Sequence, residues 1–273
     1  MDLNRYIYAI KTDGTKIYTP PTMEVPANLC TEFHALMTLS DKEVKEYGCN
    51  LRYIQTHGSG RLEIERDSST TLKIHAGDFS GVSLESDTAY LHAQYIGDFH
   101  THPYLKRYKS ATAIGPSYGD WEGWVQYYPQ NSDVGVFMVA SADQLFLMIS
   151  RGRPGVLPGG KLSRLDIQAF KDITQHDYKT YVALETELGT KQFDAYANIL
   201  TKSYPQAIKA HQQGTLAMNK ELARQMNWEL YQGKLNQQSS STLSLTSDFV
   251  VGSSWTNYLW SRTDDYWLIN NWI

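Results

Sequence analysis

The pattern of hydrophobic and polar positions changes along the chain from short alternating runs to helical spacing. Alternating or wholly apolar runs, separated by Gly, Ser and Asp clusters, predict β-strands across residues 49–99. Two further apolar runs, 134–140 and 144–149, predict buried strands joined by a turn. Beyond residue 160, apolar residues recur at the three- and four-residue spacing of helices.

The first twenty residues contain a strong turn signal. Apolar runs at 6–10 and 16–18 flank the pair Asp13-Gly14, and such a pair favours a two-residue hairpin turn. We therefore expect a β-hairpin across 4–19.

The next segment has helical periodicity. Its apolar residues predict a helix near 27–39, from the spacing of Leu29, Phe33, Leu36 and Met37. Residues 40–43 read Ser-Asp-Lys-Glu, a capping-box pattern that would open a short second helix or turn ending by Gly48.

Length and composition are those of a globular protein. A chain of 273 residues with 41% hydrophobic content can form one large domain or two smaller ones. The Gly- and Pro-rich stretch 151–160 is the clearest composition break, which predicts a boundary. We divide the chain into an N-terminal hairpin extension, a main domain, a helical region and an aromatic-rich C-terminal tail, at 1–26, 27–152, 161–236 and 237–273.

Charge and cysteine content exclude several classes of protein. The net charge of −4 provides no basic surface, so we expect no nucleic-acid partner. Two cysteines cannot form a disulfide framework and fit a reducing compartment. With no apolar run long enough to span a membrane and no leader pattern, we expect a cytoplasmic protein, with signal-free secretion as the alternative.

The residues with the clearest chemistry follow a short strand at 95–99. Side chains alternate along a strand, so His100 and His102 can point to the same side and reach one metal ion. Asp120 supplies a carboxylate, and two histidines with one carboxylate are a catalytic zinc set that leaves the fourth position for water. Alternating histidines also occur on metal-free strand faces.

A serine precedes this aspartate by three residues. Ser117 and Asp120 form a Ser-x-x-Asp pattern, which is also typical of a helix N-cap with an acidic first turn. Both interpretations can hold, because a helix beginning near Ser117 would point Asp120 back toward the histidines.

The order His-x-His-Pro followed by Ser-x-x-Asp resembles the JAMM motif of the MPN (JAB-type) zinc metalloproteases. The resemblance covers roughly residues 28–152. It implies an α+β fold with an MPN/JAB-like mixed β-sheet flanked by helices, followed here by a mainly helical C-terminal region. It also implies that zinc is bound by His100, His102 and Asp120, and that Ser117 donates a hydrogen bond to the developing oxyanion.

The family also uses a glutamate as general base. Glu46 begins the segment Glu-Tyr-Gly-Cys-Asn-Leu, which is similar to the family's Glu-x-Gly-Gly-x-Leu element with Cys49 in place of the second glycine. Asp98 and Thr101 are candidates to orient the histidines, although Thr101 equally fits the opposite strand face. The glutamates that compete with Glu46 for the role of general base are Glu32, Glu43, Glu63, Glu65 and Glu85.

The segment 104–115 is longer than in the family, which we interpret as a loop insertion at the mouth of the site.

The resemblance implies an amide hydrolase that acts on a protein or peptide, with ubiquitin-like conjugates as the family's best-known substrates. A stand-alone prokaryotic, phage or toxin-associated protein fits best, and the C-terminal helical and aromatic region could contact a protein partner. One alternative is a catalytically silent MPN-like binding scaffold. Another is a metal-dependent hydrolase of the PHP or amidohydrolase type, which would need further ligands where only His176 and His211 remain downstream.

Overall fold

The computed structural model describes part of the chain, including every predicted site residue. The described residues are 1–13, 18–68, 71–77, 82–84, 94–105, 110–111, 115–129, 132–141, 143–152, 216, 219–220, 222–224 and 226–246. The aromatic segment 249–273 and nearly all of the predicted helical region lie outside them.

One mixed sheet of nine strands organises the described residues. Its strands are β1 (Thr22–Val25), β2 (Tyr47–Thr56), β3 (Ser59–Ile64), β4 (His75–Ala76), β5 (Tyr95–His102), β8 (Val134–Ser141), β9 (Gln144–Arg151), β10 (Trp228–Lys234) and β11 (Ser241–Leu245), while β6 (Tyr104–Leu105) and β7 (Ser110–Ala111) pair separately. The order is β1-β11-β10-β9-β8-β5-β2-β3, with β4 also on β2. Only the β5–β8 pair of this sheet is parallel. The strand pairs predicted at 49–64 and 134–149 are confirmed.

The chain begins with helix α1 (Leu3–Asp13), so the predicted hairpin across 4–19 is wrong. The apolar run alternates locally, but it also continues the helical spacing set by Leu3. The buried residues of α1 are Leu3, Tyr6, Ile7 and Ile10, which form one helical face against the sheet.

Helix α2 (Ala27–Glu43) confirms the helix predicted near 27–39 and continues past it. The predicted second helix at 40–43 is wrong, because these residues form the last turn of α2. The Ser40 carbonyl accepts the N–H of Val44, and the Ser40 hydroxyl donates to the Lys45 carbonyl at 2.6 Å. Val44 ends the helix in the left-handed conformation, with φ of 56°.

Helices pack on both faces of the sheet. One face carries α1 and α2 over residues such as Phe99, Val136 and Met138. Helix α3 (Tyr118–Gln126) belongs to the other face, where Trp121 and Trp124 join an aromatic cluster with Phe137, Tyr128 and Trp228. Alternation along the strands thus separates two cores, and the predicted site residues on β5 are divided between the two faces.

The fold class predicted from the sequence is wrong. Strand exceeds helix in the described residues, at about 42% against 30%, and the sheet curls into a mixed half-barrel, which is not the expected MPN/JAB-like architecture. In addition, β10 and β11 from the C-terminal part of the chain extend this sheet beyond β9. No helix within the described ranges combines the length and apolar character needed to cross a membrane.

A buried polar cluster ties β10 to the N-terminal segment. The Glu229 carboxylate accepts hydrogen bonds from the hydroxyls of Tyr6, Thr19 and Tyr231, and it pairs with Arg151 at 2.6 Å. Because the carboxylate is 1% exposed, these donors replace the water it loses on folding. The cluster therefore fixes how α1 packs against β9 and β10.

Candidate metal centre

Strand register brings the first part of the site together. Asp98, His100 and His102 lie two residues apart on β5 and share the face that carries α3. In the antiparallel β2–β5 pair, Gly48 lies opposite His100, so the continuing register places Glu46 beside His102. The Oε1 of Glu46 is 3.8 Å from the Nε2 of His102.

The N-terminus of α3 supplies the second part. Ser117 is the N-cap: its hydroxyl oxygen accepts the N–H of Asp120 at 3.2 Å, and the Asp120 carboxylate accepts the N–H of Ser117 at 2.6 Å. This reciprocal capping box confirms the N-cap interpretation of Ser117. It also holds the Asp120 carboxylate in one orientation, directed at both histidines.

The donor atoms form a compact triangle. The Nε2 atoms of His100 and His102 are 3.2 Å apart, and the carboxylate oxygens of Asp120 lie 3.2 Å from the first and 3.4 Å from the second. Two donors bound to a tetrahedral zinc ion at about 2.0–2.1 Å lie roughly 3.3 Å from each other. The two histidine nitrogens therefore have the spacing of donors to one ion of this size, and one Asp120 oxygen lies at a similar distance from each of them.

Glu46 forms a second set with the same histidines. Ligand atoms of Glu46, His100 and His102 all lie within 4.8 Å of one another, and all three residues are buried, so this group could hold a metal ion. Its carboxylate is nevertheless farther from His102 than the Asp120 carboxylate is. Both carboxylates are therefore candidates for the third ligand, Glu46 as a member of this buried group and Asp120 by its shorter distances to the histidines.

The buried histidines and carboxylates of the cluster stabilise each other's charged forms. Burial opposes charge on His100, but the Asp120 carboxylate and hydrogen bonding to Asp120 and Asp98 outweigh it and hold the pKa of His100 well above its usual value. Burial likewise opposes charge on Asp120, yet His100 and His102 hold the pKa of that carboxyl well below its usual value. Without a metal, the positive charge of the cluster therefore lies on the His100 ring, and a metal ion would have to displace that proton to bind the imidazole.

Asp98 and Trp124 support His100 from behind. Asp98 Oδ1 lies 3.8 Å from the Nδ1 of His100 and accepts the indole N–H of Trp124 at 3.0 Å. Burial raises the pKa of Asp98. A carboxylate behind a metal-binding imidazole fixes its orientation and tautomer. Among the described residues, no partner lies at the Nδ1 of His102, so only His100 has this support.

Thr101 lies on the opposite strand face. Its hydroxyl accepts the N–H of Tyr47 at 3.0 Å and lies 3.3 Å from the Tyr47 carbonyl. The Thr101 side chain therefore points away from the histidine rings, and its hydroxyl joins β5 to β2 at Tyr47, immediately beside Glu46.

The structure brings together five of the predicted residues, and Ser117 contacts them through Asp120. The competing glutamates have other partners: Arg66 for Glu32, Tyr47 for Glu43, Arg61 for Glu63 and Asn50 for Glu65, while Glu85 lies outside the described residues. Sequence reasoning missed Trp124, although its position four residues after Asp120 places both on one helix face. It also missed Asn50, which lies opposite Asp98 only once the β2–β5 register is known.

Comparison with protein-family models, curated proteins and solved structures gives no match for this chain.

Proposed function

We propose that this protein is a zinc-dependent hydrolase of amide bonds, a metallopeptidase or isopeptidase that acts on a protein or peptide. The observation that carries the proposal is the convergence of His100, His102 and Asp120, with donor atoms 3.2–3.4 Å apart and the buried carboxylate of Glu46 beside them. The JAMM-like order of these residues in the sequence supports the same chemistry.

The donor set favours zinc over the hard cations. Two imidazoles and one carboxylate suit a borderline-soft ion, whereas calcium and magnesium prefer oxygen ligands. A zinc ion bound by this set would act as a Lewis acid and lower the pKa of water in its open position.

Glu46 is placed to move protons. Its carboxylate is 5% exposed and lies next to the ligand ring of His102, within reach of a group bound between the ligands. It would take a proton from the attacking water and deliver it to the leaving amine. Burial and a neighbouring metal ion are features that suit a carboxylate for this transfer.

Ser117 would stabilise the transition state. Its hydroxyl oxygen accepts the Asp120 N–H, which leaves the hydroxyl hydrogen available for another acceptor. We propose that it donates to the oxyanion that develops on the substrate carbonyl. Loss of one such donor typically lowers the rate by about 10² to 10³.

Turnover of peptide and isopeptide substrates tests the proposal. Zinc-loaded wild type should cleave a member of a library of internally quenched peptides or a ubiquitin-like conjugate, and Glu46→Gln should retain zinc and lose at least about 10² in kcat. Glu63→Gln, which alters a surface ion pair, is the control and should keep activity. Equal activity in the wild type and Glu46→Gln would refute the role of Glu46. Zinc binding without turnover on any substrate would favour the binding scaffold.

A further inference from the structure

A cavity of about 260 Å³ adjoins the candidate metal centre. His100 and Asp120 form part of its wall, so the cavity opens beside two of the ligands. Asp98 and Asn50 line it from the neighbouring positions of β5 and β2, where they lie opposite each other. A substrate bound for reaction at the centre would therefore place an adjoining group in this cavity.

Asn50 has an unused acceptor. The side chain is 1% exposed, and its Nδ2 donates to Glu65 Oε2 at 3.0 Å. This bond fixes the amide orientation, because a carboxylate can only accept. The Oδ1 atom is then left without a hydrogen-bond partner among the described residues. A buried acceptor in this state is destabilising, so a ligand that donates to it gains affinity.

The other walls define what the cavity excludes. Its charged side chains are Asp98, Asp120 and His100, and no lysine or arginine of the described chain lines it. Val82, Leu84 and Tyr95 add apolar and aromatic surface. An anionic group would face two carboxylates without a lysine or arginine partner, whereas an N–H donor on an apolar stem meets both the acceptor and the apolar walls.

We infer that this cavity is a specificity subsite that binds a substrate side chain with an N–H donor and no negative charge, through a hydrogen bond to Asn50 Oδ1. The inference rests on the proposed function, since the subsite would bind the substrate residue next to the scissile amide bond. A carboxamide like that of glutamine and a cation like that of lysine share this chemistry.

Peptide binding to the Glu46→Gln variant, with and without zinc, tests the subsite by isothermal titration calorimetry. The probes are four peptides that differ at one position, which carries Gln, Lys, Met or Glu. We expect the Gln or Lys peptide to bind about tenfold more tightly than the Met peptide, as one buried hydrogen bond implies, and the Glu peptide to bind most weakly. Tighter binding of Gln indicates a carboxamide site, and tighter binding of Lys indicates a cation site.

Two further substitutions in the same background separate hydrogen bonding from charge. Asn50→Leu should remove the preference for Gln or Lys over Met and leave zinc content unchanged. Glu65→Asp keeps a carboxylate, which can only accept from the Asn50 amide, so the preference should persist. Equal binding of the Gln, Lys and Met peptides to the folded protein would overturn the subsite whatever the variants do. Failure to bind zinc would instead overturn the proposed function. The two failures can be told apart, because the peptide comparison is also made without metal.

Discussion

The support of His100 by Asp98 and Trp124 gives a sharp prediction for Trp124→Phe. The substitution keeps an aromatic ring but removes the N–H that donates to Asp98 Oδ1 at 3.0 Å. A buried carboxylate that loses one hydrogen bond costs about 1.5–3 kcal/mol of stability. Loss of an outer-shell partner typically weakens metal affinity by about 10- to 100-fold. We expect both effects, because Asp98 would no longer be held behind His100.

Trp121 provides a matched control on the same helix. It is fully buried, and its indole N–H donates to Asn219 at 2.7 Å, away from the histidines. Trp121→Phe should lose comparable stability in urea denaturation and keep the wild-type zinc affinity in competition with a chromogenic chelator. If Trp124→Phe binds zinc within twofold of the wild type, or if both variants weaken binding equally, the assigned support of His100 is wrong.

Three further predictions concern the backbone and the buried polar cluster. Val44→Gly should relieve a left-handed conformation that costs a non-glycine residue about 1–2 kcal/mol, so the stability of the variant should be equal to or higher than that of the wild type. Because the glycine also lets the nearby Glu46 move more freely, turnover should fall without loss of zinc. Gly97→Ala should destabilise the fold by more than about 3 kcal/mol in denaturant titrations, because the added Cβ would lie 1.8 Å from the Val136 carbonyl oxygen. Burial and the Glu229 carboxylate raise the pKa of Tyr6 in the folded state. The protonated Tyr6 hydroxyl therefore contributes stability below about pH 10, and this contribution is lost as the pH rises further. Melting temperatures measured across pH 8–12 would show the loss.

Each of these has a control in the same chain. Asn227→Gly relieves a similar φ just before β10, which carries none of the candidate ligands, and should leave turnover unchanged. Gly58→Ala meets no atom within 4 Å and should cost only the conformational strain of about 1–2 kcal/mol. Tyr6→Phe should flatten the alkaline loss of stability. Lower turnover in Asn227→Gly would contradict the role given to Val44. Equal losses of stability in Gly97→Ala and Gly58→Ala would contradict the steric explanation for Gly97. An unchanged alkaline loss of stability in Tyr6→Phe would contradict the role given to Tyr6.

The candidate ligands were predictable because their signals are local. A period of two places His100 and His102 on one side of a strand, and an N-cap pattern places Asp120 in a first helical turn. Both signals depend only on residues two or three positions apart in the sequence. The convergence of the strand end and the helix start was expected from the resemblance to the JAMM motif, because 104–115 separates them along the chain.

The features that the sequence missed depend on pairing between distant segments. Asn50 becomes part of the site only through the β2–β5 register, and Glu229 is buried only because Arg151 and Tyr6 surround it. The N-terminal helix was mistaken for a hairpin because the run 6–10 fits both periods, and packing of one face on the sheet decides between them. Fold class failed for the same reason, since sheet order and curl are set by long-range pairing.

Metal content is the most direct test of the central claim. Purified wild type, offered zinc and then dialysed, should contain about one zinc per chain by elemental analysis, and His100→Ala/His102→Ala should contain none while remaining folded by circular dichroism. Asp120→Asn should lose most of its zinc and Glu46→Gln should keep it, as the shorter Asp120 distances require. A folded wild type without zinc, or a double histidine variant that retains it, would contradict the assignment of this site.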